Sequence, residues 1–194
     1  MKGPRMSDQH TVLRSMHDAG LAAWFGGSLM GAVGLNGAAA EADDPTERLH
    51  ISSAGWNRWA PVNLAAIGSH LVGAAGIFLT ERPRVAAQKG VGAMSAAKTA
   101  LTVAALGATA YSRILGKKME KAESVPVEGT TEPDGATPSD VAAAQRQQRV
   151  AQWAIPVLTG ALMTVSSFAG EQQKPGSVAR GIGARLGWLV KPAR

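Results

Sequence analysis

Two of the four histidines in this 194-residue chain, His17 and His70, stand beside or inside long apolar stretches. There an imidazole serves as a hydrogen-bonding group, a proton carrier or a ligand for haem or metal. Asn63 lies seven residues before His70, which puts both on one helical face and makes a water-facing or ligand-facing stripe. The plainer reading is a neutral His70 hydrogen-bonded to Ser, Thr or Asn of a neighbouring helix, since one His completes no coordination set. Gln145, Gln152, Thr159 and Ser166 recur every seven residues and are expected to face a bundle interior. Thr99, Thr102 and Thr109 should do the same, and their hydroxyls can also bond their own helix. No Walker loop, HExxH or GxSxG is present, so no catalytic residue and no metal site is assigned; an enzyme would have to work through His17, His70 or a bound cofactor.

The elements that would hold these residues are four apolar blocks, at about 19–40, 59–80, 91–111 and 150–169, each long enough to cross a bilayer as a helix. The overall hydrophobic fraction of 45% is ordinary because apolar blocks alternate with charged connectors. The expected fold is therefore all-α: an integral membrane four-helix bundle in a single domain. Block one also has features of a signal peptide, with Lys2, Arg5 and Arg14 ahead of it and Ala38–Ala39–Ala40 before Glu41. Its length, and Asp8 and Asp18 in the basic region, favour a retained span. Trp56 and Trp59 read as markers of a water–lipid boundary, with block two starting there and Pro61 in its first turn. Block three is the weakest span, because Lys98 interrupts it and Ala, Gly and Thr dominate it. Pro156 should bend the fourth helix, which is expected to begin near Ser139 and Asp140.

Small residues suggest how the spans meet. Gly27 and Gly31 form a GxxxG pair, extended by Gly20 and Gly34, and block two offers Ala65, Ser69 and Gly73 at the same spacing. The first two helices are thus expected to pack closely, with an interface to a partner as the alternative use of these faces.

Charge sets the orientation and the partners. A pI near 10.1 would suit nucleic acid, but Lys and Arg lie beside apolar blocks and not in one patch with aromatics, so lipid head groups are the expected counter-charge and nucleic acid is not a partner. Lys2, Arg5 and Arg14, the second connector (Arg82, Arg84, Lys89, with Lys98) and the tail (Lys174, Arg180, Arg185, Lys191, Arg194) fall on one side, against Arg48, Arg58 and the basic third connector with Arg113, Lys117, Lys118 and Lys121 on the other, and the balance makes both termini cytoplasmic in a multi-pass plasma-membrane protein. The stretch 112–149, with Pro126, Pro133 and Pro138 in its Lys, Glu and Gly-rich centre, reads as a flexible extramembrane loop. The tail 171–194 reads as a basic amphipathic segment on the membrane surface, with Val178, Ile182, Leu186 and Leu189 on one face. With no Cys, thiolate metal sites and disulfides are excluded.

The stretch from His17 through Trp24 to Gly26 and Gly27 resembles the His-x6-Trp-x-Gly-Gly opening helix of several small bacterial membrane families, including copper-resistance D-type proteins and the membrane protoporphyrinogen oxidase of haem synthesis. The resemblance covers about a dozen residues, and it implies a haem- or metal-binding role for His17. A haem held between His17 and His70 meets a geometric objection: the block boundaries put His70 about 15 Å deeper than His17, at 1.5 Å per residue. The expected function is that of an accessory or interaction component that docks membrane helices, with a membrane protein or a second copy as partner. The alternative is a haem- or metal-binding membrane redox or haem-pathway protein using His17 and His70.

Overall fold

A computed structural model describes the backbone of residues 6–87, 91–122 and 124–171, and the side chains of 11–80, 92–122 and 124–168. Lys89 and all of the expected surface tail except Glu171 lie outside the described residues. Among the described residues the chain is all-α apart from one small hairpin. Helix α1 (Met6–Met30) runs through a π-helical stretch, Gly31–Leu35, into α2 (Asn36–Ala40). Then follow α3 (Arg48–Ala87), α4 (Val91–Glu120), the strands β1 (Val127–Gly129) and β2 (Glu132–Pro133), and α5 (Ser139–Glu171).

Each helix outruns the apolar block that predicts it, because capping and packing, not hydropathy, end a helix. This overturns two local expectations. Helix α3 starts at Arg48, so Pro61 sits well inside it and not in its first turn. Trp56 and Trp59 accordingly lie within the bundle: the indoles cover Gly31 and Gly27 of the first helix, at positions where a Cβ would collide with the rings. Among the described residues, two helices are long and apolar enough to cross a membrane, α3 over Arg48–Thr80 and α5 over Ser139–Phe168.

The bundle is built from two antiparallel pairs, α1 with α3 and α4 with α5. In the first pair Gly76 meets Leu13, Gly73 meets His17, and Gly20 meets His70, so numbers rise on one helix as they fall on the other. In the second, Lys118 reaches the Asp140 carbonyl and Tyr111 reaches Gln147. The pairs close around Leu21, Trp24, Ile67, Ala105, Ile155 and Leu162. Pro156 is accommodated inside α5, where the Thr159 hydroxyl donates to the Ile155 carbonyl at 2.8 Å.

The stretch expected to be a flexible loop is instead the end of α4, a docked hairpin and the first turns of α5. Strands β1 and β2 pair antiparallel, Val127 is fully buried against Leu49 and Val141, and the backbone is held by side chains from the helices. Arg48 donates to the Val127 and Glu128 carbonyls at 3.1 and 3.0 Å, Gln145 to the Gly129 carbonyl at 2.9 Å, and Arg149 to the Thr131 carbonyl at 3.0 Å. Composition misjudges this segment because its order comes from partners distant in sequence. Its Pro residues do not conflict with a ladder of so few bonds.

The α1–α3 crossing predicts a sharp contrast between glycines. A Cβ at Gly73 would lie 2.5 Å from the His17 nitrogen and the Leu13 carbonyl oxygen, both backbone, whereas one at Gly26 meets nothing within 4 Å. Gly73→Ala should cost about 1–3 kcal/mol as an overpacked contact. Gly26→Ala should be neutral or slightly stabilising, with thermal unfolding of the detergent-solubilised protein as the measurement.

Candidate functional site

The first candidate feature is the contact between His17 and His70. Gly20 and Gly73 let α1 and α3 approach backbone to backbone, with a hypothetical Gly20 Cβ only 2.6 Å from the His70 nitrogen. The Ser69 hydroxyl donates to the Met16 carbonyl at 3.0 Å beside them. The two imidazoles, 7% and 0% exposed, consequently touch, with ring centroids 4.5 Å apart and planes inclined by 45°. The expected difference of depth between them is therefore wrong. It took the edges of apolar blocks as helix ends, and α1 and α3 both continue past those edges.

The hydrogen bonds assign the protons. His17 Nδ1 lies 2.7 Å from an Asp18 carboxylate oxygen. His70 Nδ1 faces the His17 carbonyl at 3.3 Å; a carbonyl only accepts, so Nδ1 carries the proton and Nε2 is a bare acceptor. That Nε2 is buried and has no hydrogen-bond partner. Trp24, with its ring 6.1 Å from that of His70, donates its indole N–H to the Thr109 hydroxyl at 3.2 Å. Thr109 in turn donates to the Ala105 carbonyl at 2.8 Å.

This pair does not fit a haem iron held between the rings. Two metal–nitrogen bonds of about 2 Å each, plus the ring radii, hold the centroids about 6 Å apart. The 4.5 Å observed leaves no room for the macrocycle. Among the described residues no group of three His, Cys, Asp or Glu is placed to hold a metal ion.

Beside the pair opens a cleft of about 660 Å³ between α1, α3, α4 and α5. Arg14, His17, Asp18, His70, Lys98 and Ser166 supply its polar wall, and Leu71, Phe78, Val103, Leu106 and Met163 much of the rest. Lys98, noted in the sequence as an interruption of an apolar block, thus lines this cleft.

The second feature is a polar seam through the interior. Gln145, Gln152 and Thr159 are buried, and the Ser166 Oγ is buried without a partner, so the heptad-spaced set points inward. Trp56 donates to Asn36 Oδ1 at 2.9 Å, and Asn36 Nδ2 donates to Gln152 Oε1 at 2.8 Å. Sequence reading missed Asn36; its one signal is an amide in the middle of a Gly and Ala run. Asn63, Trp59 and Gln148 each hold a buried polar atom without a partner and line a cavity of about 100 Å³, large enough for several waters. Asn63 and His70 share a face of α3 but open into different cavities.

The small residues singled out in the sequence divide between two tasks. Gly27 and Gly31 receive the indoles of Trp59 and Trp56, while Ser69 and Gly73 face Met16, Leu13 and His17. The two sets do not meet each other, and Ala65 is exposed.

The Asn36 bridge predicts a measurable coupling. Asn36→Leu leaves the Trp56 N–H and the Gln152 oxygen unpaired and should cost about 1–3 kcal/mol of stability. Adding Trp56→Phe should recover part of it, as read in a double-mutant cycle of unfolding midpoints. Compared with known proteins, the chain matches no protein-family model, no curated protein and no solved structure.

Proposed function

We propose that this chain is a multi-pass plasma-membrane protein whose four helical stretches cross the bilayer, with both termini cytoplasmic, and that it is an accessory component docking other membrane helices. The observation that carries this reading is the inverted polarity of the bundle. His17, His70, Asn36, Gln145, Gln152 and Thr159 are buried, whereas Leu64, Val72, Phe78, Val103, Val157 and Phe168 are exposed. Water as solvent would leave those apolar side chains uncovered, and hydrocarbon covers them at no cost. Only 22% of the apolar α3 window and 33% of that in α5 is buried, so these are not the enclosed helices of a water-soluble core.

The orientation is supported by the charge pattern of the sequence: Arg82 and Arg84 fall in the last turns of α3, and the antiparallel pairing of α3 with α1 brings that end toward the start of α1, which carries Arg14. Arg113, Lys117 and Lys118 at the other end are engaged locally, by Asn57, Glu120 and Asp140. Docking is supported by the outward face of α4, where Ala96, Ala100, Ala104 and Gly107 are exposed at helical spacing, and nothing lies within 4 Å of a Gly107 Cβ. A face of this kind admits another helix at short range and gains little from lipid.

Four experiments test this reading. The protein should stay with alkali-washed membranes without detergent, and recovery in the supernatant overturns the assignment. Because the chain has no Cys, single replacements report topology directly. In intact cells an impermeant thiol reagent should label Asp43→Cys and Ala136→Cys, and should label Lys89→Cys only after lysis. Ala100→Leu with Ala104→Leu should leave insertion intact and abolish co-purification of a membrane partner or second copy. The purified protein should be colourless; a Soret band lost in His70→Ala replaces docking by a haem function.

A further inference from the structure

The cleft beside the His17–His70 contact carries features that helix packing leaves unused. His70 and Ser166 line it, and His70 Nε2 and Ser166 Oγ are buried without a hydrogen-bond partner. Such atoms cost free energy unless something in the cleft meets them. The wall also includes the Lys98 ammonium, which has no carboxylate of the described residues within ion-pair distance; the neighbouring Asp18 carboxylate is bonded to His17. A lysine among apolar helices calls for an anion. Ser95, Thr99, Thr102 and Ser167 add hydroxyls to the wall, the rest of it is hydrocarbon, and Leu106 lies two turns beyond Lys98 on α4, about 12 Å at 1.5 Å per residue. Cation, hydrogen-bond acceptor and apolar surface are therefore arranged along one opening, and its volume of about 660 Å³ suits a head group and part of a chain.

The geometry points to this cleft as a binding site for an acidic phospholipid whose head group bears a free hydroxyl, of the phosphatidylglycerol type. Its phosphate lies against Lys98, with Arg14 on the same wall. A head-group hydroxyl donates to His70 Nε2, and one acyl chain follows Val103, Leu106 and Met163 out to the bilayer. Competing occupants fit less well. A choline phospholipid brings a cation to Lys98 and no hydroxyl donor, and a free fatty acid brings an anion without a second donor for His70. Inorganic phosphate leaves the apolar wall empty. This inference rests on the membrane reading above. Recovery of the protein in the supernatant sinks both, whereas unselective lipid binding by a membrane-embedded protein sinks this one alone.

The test is native mass spectrometry of the delipidated full chain in mild detergent, titrated in parallel with phosphatidylglycerol, phosphatidylcholine and oleate. Phosphatidylglycerol should bind about tenfold or more tightly than phosphatidylcholine and oleate, the scale of one charge-assisted contact. Lys98→Gln should remove the preference over phosphatidylcholine, Lys98→Arg should keep it, and Ser166→Ala should weaken the binding of phosphatidylglycerol several-fold. If Lys98→Gln fails to fold, as judged by helical circular dichroism, the Lys98→Arg and Ser166→Ala pair decides. Equal binding of the three amphiphiles, a preference over phosphatidylcholine unchanged in Lys98→Gln, phosphatidylglycerol binding unchanged in Ser166→Ala, tighter binding of oleate, or a coloured prosthetic group lost in His70→Ala overturns the inference.

Discussion

The rest of the structure depends on the backbone-to-backbone crossing of α1 and α3. Gly20 and Gly73 lie on opposite helices, and each presents its missing side chain to the other helix's peptide groups. Because the helices meet this closely, the His17 carbonyl comes within reach of His70 Nδ1 and the two imidazoles touch. Trp24 is then sealed into the central cluster, and the cleft opens on the far side of the pair. Larger residues at these positions would move the axes apart, and the histidine contact would be lost before any polar residue changed. The glycines contribute no interaction of their own; they set a distance at which others become possible.

That crossing also explains the polar interior. In water, burying amides, imidazoles and hydroxyls among few large apolar side chains would be a poor core. On the membrane reading proposed above the comparison reverses, because hydrocarbon would be the apolar phase outside the bundle and the inside the one place where polar groups find partners. Asn36 illustrates this: it binds Trp56 on α3 and Gln152 on α5, joining three helical segments through one amide. Thr102, Thr109 and Thr159 return their hydroxyls to their own helix carbonyls and so carry little burden alone.

Much of the architecture is legible in the sequence because helices announce themselves through period and length. The positions of four helical stretches, the start of α5 at Ser139 and the inward face of Gln145, Gln152 and Thr159 all follow from spacing. What was not legible depends on contacts between distant segments. Hydropathy marks how far a helix is greasy and not how far it is helical, so the ends of α1 and α3 were misjudged and His17 was set at the wrong level relative to His70. Trp56 and Trp59 have the composition of interfacial anchors, and only the empty faces of Gly31 and Gly27 turn them inward. The hairpin was hidden for the same reason, since Arg48, Gln145 and Arg149 come from helices on either side of it.

The π-helical stretch Gly31–Leu35 separates the part of the first helix that faces α3 from the part that bears Asn36. A π turn takes up about one residue more than an α turn, so everything after it lags by roughly 100° behind the direction the same residues would take in an unbroken α-helix. Asn36 and Ala39 are buried on the far side of that offset. The stretch therefore works as a one-residue spacer between two surfaces: wound as ordinary α-helix, the same residues would turn the Asn36 end away from the interior, whereas deleting one of them would turn the wide turn into an α turn and leave both ends facing inward. The width of this one turn, more than the identity of its residues, keeps both ends of the first helix facing the same interior.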